Sequence, residues 1–182
     1  VSGIQNAGGQ LLNLLDDALD MAGIEAGRLQ LQCQPFSLQS LLAEVARPLQ
    51  QKVQAKGLTL AMPDDLPGPV CVHGDMVRLR QVLNNLLANA IRHTQSGTVG
   101  LQVRLALSAD NQRHLFDRFQ GRDNAQLRVA GGGVGLAISR ELVHAMGGSV
   151  QVHSDRGGGN CISVQLPLRW ELERAEQPLP SV

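Results

Sequence analysis

From Gly3 to Ala26, apolar and small residues recur in alternating steps of four and three: Ile4, Gly8, Leu11, Leu15, Ala18 and Ala22. That is the spacing of a helix packed in a bundle or coiled coil. Leu12 and Leu19 widen the apolar face, while Asn13, Asp16, Asp17 and Asp20 lie largely off it. Such a helix has little to bury against within its own segment. The pattern therefore predicts pairing with another helix or subunit, or folding back onto the main domain. After Gly27 the period changes. Leu29, Leu31 and Cys33 alternate as a short strand. Ser37 is placed to cap a helix running to about Lys56 and closed by Gly57, with Pro48 inside it expected to kink or break it. Leu58 to Met62 and Val70 to Val72 read as short strands around the turn-rich PDDLPGP. Asp75 to His93 is the next helix, with Leu79, Leu83, Leu86 and Ala90 as its buried stripe. Thr98 to Leu107 alternates as a strand, and Asn111 to about Phe119 reads as a short helix. Gly121 to Gly133 is a polar, glycine-ended loop, followed by a helix from Val134 to Met146. Ser149 to His153 and Cys161 to Leu166 read as strands joined by the hairpin loop SDRGGGN. The tail LERAEQPLPSV has the composition of a linker. No internal repeat occurs, and strands and helices mix without a strict β-α-β rhythm. The fold class expected is α/β, a two-layer sandwich with one helical layer.

Composition narrows this picture only a little. At 182 residues and 43% hydrophobic, the chain can bury a sizeable core, and with 2% aromatics that core must be built from Leu, Val, Ile and Ala. A formal net charge of +0 gives no broad basic surface for nucleic acid. Cys33, Cys71 and Cys161 stand far apart without a C-x-x-C, as free thiols of a reducing compartment do. No apolar run is long enough to span a membrane, and there is no signal peptide. The opening VSGIQNAGG, without an initiator Met, reads as part of a longer protein.

Two stretches carry candidate chemistry. In NNLLANAIRHT, residues 84–94, Asn85 and Asn89 fall one helical turn apart on one face, with Arg92 a turn later and His93 beside it. Asparagine is a poor helix former, so this set at the margin of the buried stripe suggests a ligand of oxygens and a cation. An amide oxygen can ligate Mg²⁺ and an arginine can pair with phosphate. The plainer reading is that these asparagines cap loops or face water. In GGGVGLAIS, residues 131–139, three glycines run into a helix and a fourth, Gly135, lies in its first turn. Glycines there admit close approach to the backbone, and a helix start offers unpaired N–H groups and partial positive charge to phosphate. The stretch matches neither G-x-G-x-x-G nor G-x-x-x-x-G-K-[ST], and a hinge loop is the plainer reading. The five histidines show no metal spacing such as H-E-x-x-H.

The order of these pieces resembles the ATP-binding domain of bacterial sensor histidine kinases, within the wider group that includes gyrase, the mismatch-repair ATPase and the heat-shock chaperone. GDMVRLRQVLNNLLANAIRHT looks like that family's asparagine box, with Asn89 at the place of the magnesium ligand and Asn85 and Arg92 at neighbouring nucleotide contacts, where Lys is commoner than Arg. HLFDRF, residues 114–119, looks like its phenylalanine box. GGGVGLAIS looks like its second glycine box, with Gly132 where Thr is usual. LVHAMGGSVQVHSDRGGGNCISVQLPL resembles its closing helix and hairpin, and LLNLLDDALDMAGIEAGRLQL the second helix of its dimerisation hairpin.

The resemblance implies a Bergerat-type ATP-binding fold and three parts: residues 1–27 as the second helix of a dimerisation hairpin, 28–169 as the kinase domain and 170–182 as a linker. It implies ATP and Mg²⁺ as cofactors, with Asn85, Asn89, Arg92, His93, Gly131, Gly133, Gly135 and Leu136 binding nucleotide and Asn89 the metal. The reaction implied is transfer of the γ-phosphate to a histidine, with a response regulator or receiver domain as partner and a homodimer formed through the Gly3–Ala26 helix. The setting implied is the cytoplasmic part of a membrane-anchored sensor. Related hydrolases carry a glutamate one turn before the magnesium asparagine; here that place holds Asn85, which cannot act as a base, and this favours phosphoryl transfer over hydrolysis.

Two departures stand out. None of His73, His93, His114, His144 or His153 has the setting of the family's acceptor histidine, so this chain is expected not to phosphorylate itself. No D-x-G-x-G box, whose aspartate reads adenine in the family, occurs at its expected place, the join within LQVRLALSADNQRHLF around Leu107 and Ser108; the one string of that form, DRGGG at Asp155–Gly159, lies in the hairpin loop. The competing expectation is thus a degenerate, non-catalytic module that dimerises with and regulates a partner kinase. A serine-directed anti-sigma-factor kinase of the same fold fits less well, given the bundle-type helix in front and the linker behind.

Overall fold

Ser37 ends one element and begins the next. In a computed structural model of the protein, whose described residues are 22–23, 28–105, 134–155 and 159–172, strand β1 spans Gln34–Ser37 and helix α1 spans Leu38–Ala55. The Ser37 hydroxyl accepts the Ser40 N–H at 3.3 Å, closing the helix start as expected. Leu38, Leu41, Leu42, Val45, Leu49 and Val53 are buried along one side of α1. The helix does not break at Pro48, which sits on the exposed side, where water can serve the Glu44 carbonyl that loses its N–H partner. It ends at Lys56, and Gly57 follows with φ +66°.

Strands β2 (Thr59–Ala61) and β4 (Thr98–Gly100) pair in parallel, Leu60 opposite Val99. Strand β3 (Val70–Gly74) lies between β1 and β7 (Arg169–Leu172), antiparallel to both, with Phe36 and Trp170 flanking Val72. The pleat turns Val70 and Val72 inward. Helix α2 (Met76–His93) follows at once from β3, capped by Asp75. Helix α3 spans Val134–Ala145, and β5 (Ser149–Asp155) and β6 (Gly159–Gln165) form the antiparallel hairpin expected from the sequence. Between α3 and β5 the chain turns at Gly147, φ +78°, and a Cβ at Gly148 would overlap the Gln165 carbonyl oxygen.

The core forms two clusters. One lies where α1 meets the strands and α2, around Leu41, Val45, Val70 and Val99. The other joins α2 to α3 through Val82, Ile138, Leu142 and Val143, with the hairpin residues Val150 and Val164 against it. This corrects the expected stripe of α2. Its most buried apolar residues are Leu79, Val82, Leu87 and Ile91, whereas Leu83, Leu86 and Ala90 are half-buried. The helix is gripped from two sides, by α1 and by α3, so its apolar surface is broader than one stripe.

Three further expectations change. Residues 28–33 form no strand; Leu29 and Leu31 pack against the second cluster, and the Gln32 N–H donates to the Asp75 carboxylate at 2.9 Å rather than to a neighbouring strand. The strand expected over Thr98 to Leu107 stops at Gly100, with one more bond from Leu101 N–H to the Ala61 carbonyl. Its partner runs out there, since β2 gives way to Met62, Pro63 and the turn. Finally β7 runs from Arg169 to Leu172, across the expected boundary between the kinase domain, ending at 169, and the linker, starting at 170. Of the Gly3–Ala26 helix only Ala22 and Gly23 are among the described residues, and they are helical. The short helix from Asn111 and the loop from Gly121 lie outside them.

Candidate nucleotide site

Helix α2 carries the polar set because both its ends are held. At its start Asp75, buried to 6% exposure, accepts the Arg78 N–H at 3.0 Å as well as the Gln32 N–H. At its end the Lys56 ammonium donates to the carbonyls of Ile91 at 2.8 Å and Arg92 at 2.9 Å. Thr94 Oγ1 donates to the Ala90 carbonyl at 2.7 Å. Within this fixed frame Asn85 and Asn89 stand one turn apart, both half-buried, and Arg92 follows at the exposed last turn with exposed His93 beside it.

By residue pattern alone α2 and the glycine stretch are separate candidates, placed on one nucleotide only by the family resemblance. The fold joins them. Asn85 Nδ2 donates to the Gly135 carbonyl at 3.3 Å, across fifty positions of chain. The same carbonyl accepts the Ser139 hydroxyl at 2.8 Å, and Ser139 is buried to 1%. A Cβ on Gly135 would come to 3.4 Å from Asn85 Cγ, so the glycine keeps open the space beside the amide. Among the described residues the Asn89 amide has no hydrogen-bond partner, one turn further along the same face. An open space at a helix start, beside an available amide oxygen, suits a phosphate with a hard divalent cation.

Leu136 is buried to 8% and serves as packing at the base of α3. Gly131 and Gly133 lie outside the described residues. Sequence reasoning missed Ser139, Lys56 and Asp75 as residues that position this set. Asp75 carried a usable signal, an aspartate directly before an apolar-periodic run. Lys56 and Ser139 carried none, since their partners are known only once the helices are packed.

Residues 74–169 match the family described as histidine kinase-, DNA gyrase B-, and HSP90-like ATPases. The chain belongs to this family of ATP-binding domains, and within it groups with the sensor histidine kinases. It is 36% identical to the circadian input-output histidine kinase CikA of Synechococcus elongatus, over 100% of this chain and 26% of CikA. It is 35% identical to the sensor protein GacS of Pseudomonas syringae pv. syringae, over 97% of this chain and 22% of GacS. Full-length ShkA, solved in complex with AMPPNP, superposes with a TM-score of 0.69 at 28% identity, covering 92% of this chain and 38% of ShkA. The Acinetobacter baumannii histidine kinase AdeS shares the fold, with a TM-score of 0.69 at 18% identity over 91% of this chain and 82% of that one. The chain thus spans about a quarter of the length of the curated relatives it matches. The alignment with CikA covers 199 positions against the 182 residues of this chain, so at least 17 positions of CikA have no counterpart here. No helix among the described residues is long and apolar enough to cross a membrane.

Proposed function

We propose that the chain is the ATP-binding catalytic part of a two-component sensor histidine kinase, directing the γ-phosphate of Mg–ATP to a histidine outside this chain. The observation that carries this reading is the bond from Asn85 to the Gly135 carbonyl, with Asn89 one turn away. Asn85 fixes α2 against the start of α3, and Gly135 leaves room beside it for phosphate. Asn89 offers its amide oxygen to the cation. Arg92, exposed at the end of α2, offers charge to the phosphates. Bound Mg–ATP supplies the phosphoryl group and its neutralising cation, and the protein contributes position and charge. No carboxylate stands where Asn85 does, so that position offers no base to a water molecule. The product histidine phosphate would pass to a response regulator or receiver domain. The Gly3–Ala26 helix would make a homodimer on the cytoplasmic side of a membrane-anchored parent.

A specific observation favours a second reading. The positions missing relative to CikA, together with the lack of a D-x-G-x-G box around Leu107 and Ser108, suit a module that regulates a partner kinase without using ATP. Calorimetric titration with Mg–ATP and Mg–ADP separates the two. The kinase reading expects submillimolar affinity, and Asn89→Ala is expected to remove it. No binding by the unaltered chain would favour the regulatory module. Binding unchanged by Asn89→Ala would refute the metal role.

A further inference from the structure

Strand β3 presents a second set of chemistry, on the face away from the core. Val70 and Val72 point inward, so Cys71 and His73 point outward, two residues apart on one face. In the register with β7, Glu171 lies directly opposite Cys71. His73 Nε2 stands 3.5 Å from Glu171 Oε1, and donor atoms of Cys71, His73 and Glu171 all lie within 4.8 Å of one another. A tetrahedral ion with bonds of about 2.0–2.3 Å sets its donors roughly 3.3–3.8 Å apart. A small side-chain rotation therefore closes the set around one ion. Cys71 and His73 are half-buried, Glu171 is exposed, and all three sit on paired strands rather than on loops.

We infer that Cys71, His73 and Glu171 form a site for a borderline divalent transition metal, with zinc the fitting ion. One thiolate, one imidazole and one carboxylate are the donors zinc takes, and three protein donors leave a fourth position to water. Magnesium and calcium require more oxygen ligands than this face offers. The site shares no residue with the nucleotide set. An ion there would pin β7, the last described strand, to β3, whose end leads through Asp75 into α2. On the other side of Cys71 stands Ser37, whose hydroxyl is already engaged at the start of α1. Arg169 stands opposite His73 on the same face.

The test is a Co²⁺ titration of the full chain, kept reduced with a phosphine, followed by competition with Zn²⁺. The expected result is a thiolate-to-cobalt charge-transfer band with tetrahedral visible bands, saturating at one ion per chain and abolished by Zn²⁺. Cys71→Ser is expected to remove the charge-transfer band, and Cys33→Ser and Cys161→Ser to leave it. Glu171→Gln, at an exposed position that cannot unfold the core, is expected to weaken binding by about 100-fold, since losing even a group behind a ligand costs roughly 10–100-fold. Absence of any thiolate band in the unaltered chain would show an ordinary His73–Glu171 surface pair and overturn the site. So would a band that survives Cys71→Ser, or affinity unmoved by Glu171→Gln.

Discussion

Gly135 answers to two opposed demands. In the first turn of α3 an alanine would be the better helix former by about 1 kcal/mol. Nothing in the backbone requires a glycine there, since its φ is not in the left-handed region. What a Cβ would meet is the amide of Asn85, at 3.4 Å from Cγ and 3.5 Å from Nδ2. These are tolerable contacts, so the packing of α2 on α3 survives them. The space beside the amide does not. Gly135→Ala is therefore expected to raise resistance to urea by ~0.5–1 kcal/mol while weakening Mg–ATP binding about tenfold, equivalent to ~1.4 kcal/mol. Urea unfolding and calorimetry on the same variant check both signs. A variant that is stabilised and binds as before would remove Gly135 from the nucleotide site. Ser139 supports the same carbonyl from within α3, and Ser139→Ala leaves Asn85 as its side-chain donor.

Helix α2 shows how far an element can be read before it is packed. Its start was legible because Asp75 precedes an apolar-periodic run, as Ser37 does for α1. What the sequence could not reveal is that Asp75 grips two segments of the chain. One carboxylate oxygen accepts the Arg78 N–H and the other the Gln32 N–H. Asp75→Ala loses both bonds at a buried position and is expected to cost about 2 kcal/mol, at the upper end for a helix cap. Asp75→Asn keeps an oxygen for Arg78 but turns an N–H₂ toward Gln32, and should cost roughly half as much. Urea midpoints at unchanged slope measure both; a costless Asp75→Asn would mean the bond to Gln32 carries nothing, and equal costs would mean the same of the bond to Arg78. The same contact explains the expected strand at Leu29 to Cys33. Its alternation was real, since Leu29 and Leu31 pack on the second cluster, but its backbone found a carboxylate instead of a strand. Strand β4 fell short for the matching reason, a partner ended by Pro63. Strand β7 was illegible because RWEL beside a polar tail has no period, and only pairing with β3 assigns it. The nucleotide set was half legible. Helical spacing exposed Asn85 and Asn89, but their link to Gly135 depends on α2–α3 packing. The Cys71, His73 and Glu171 cluster was invisible for the same reason, since Glu171 enters from a distant strand.

At the scale of the whole molecule, one part of the ATP-binding fold is kept among the described residues, and one of the family's motifs is not in its place in the sequence. The asparagine helix and the start of α3 are both present and bonded to each other. Yet CikA carries at least 17 positions that this chain lacks, and no D-x-G-x-G box stands at the join around Leu107 and Ser108. In the proposed kinase reading the retained half faces phosphate and cation, and the absent half would have read the base. The two halves have separable signatures. A site that hydrogen-bonds a polar group of its ligand rejects the analogue lacking it by as much as 10⁴–10⁵-fold, whereas phosphate and metal contacts are indifferent to the base. If only the second kind remains, Mg–ATP and Mg–GTP should bind within about threefold of each other, an energy difference below ~1 kcal/mol. Competition between the two nucleotides measures this directly, and without Mg²⁺ both should weaken together, since in the proposed reading Asn89 and the cation act on the shared triphosphate. A preference for ATP above about 100-fold would mean that adenine is read by other residues of this chain, and the regulatory reading would lose its main support.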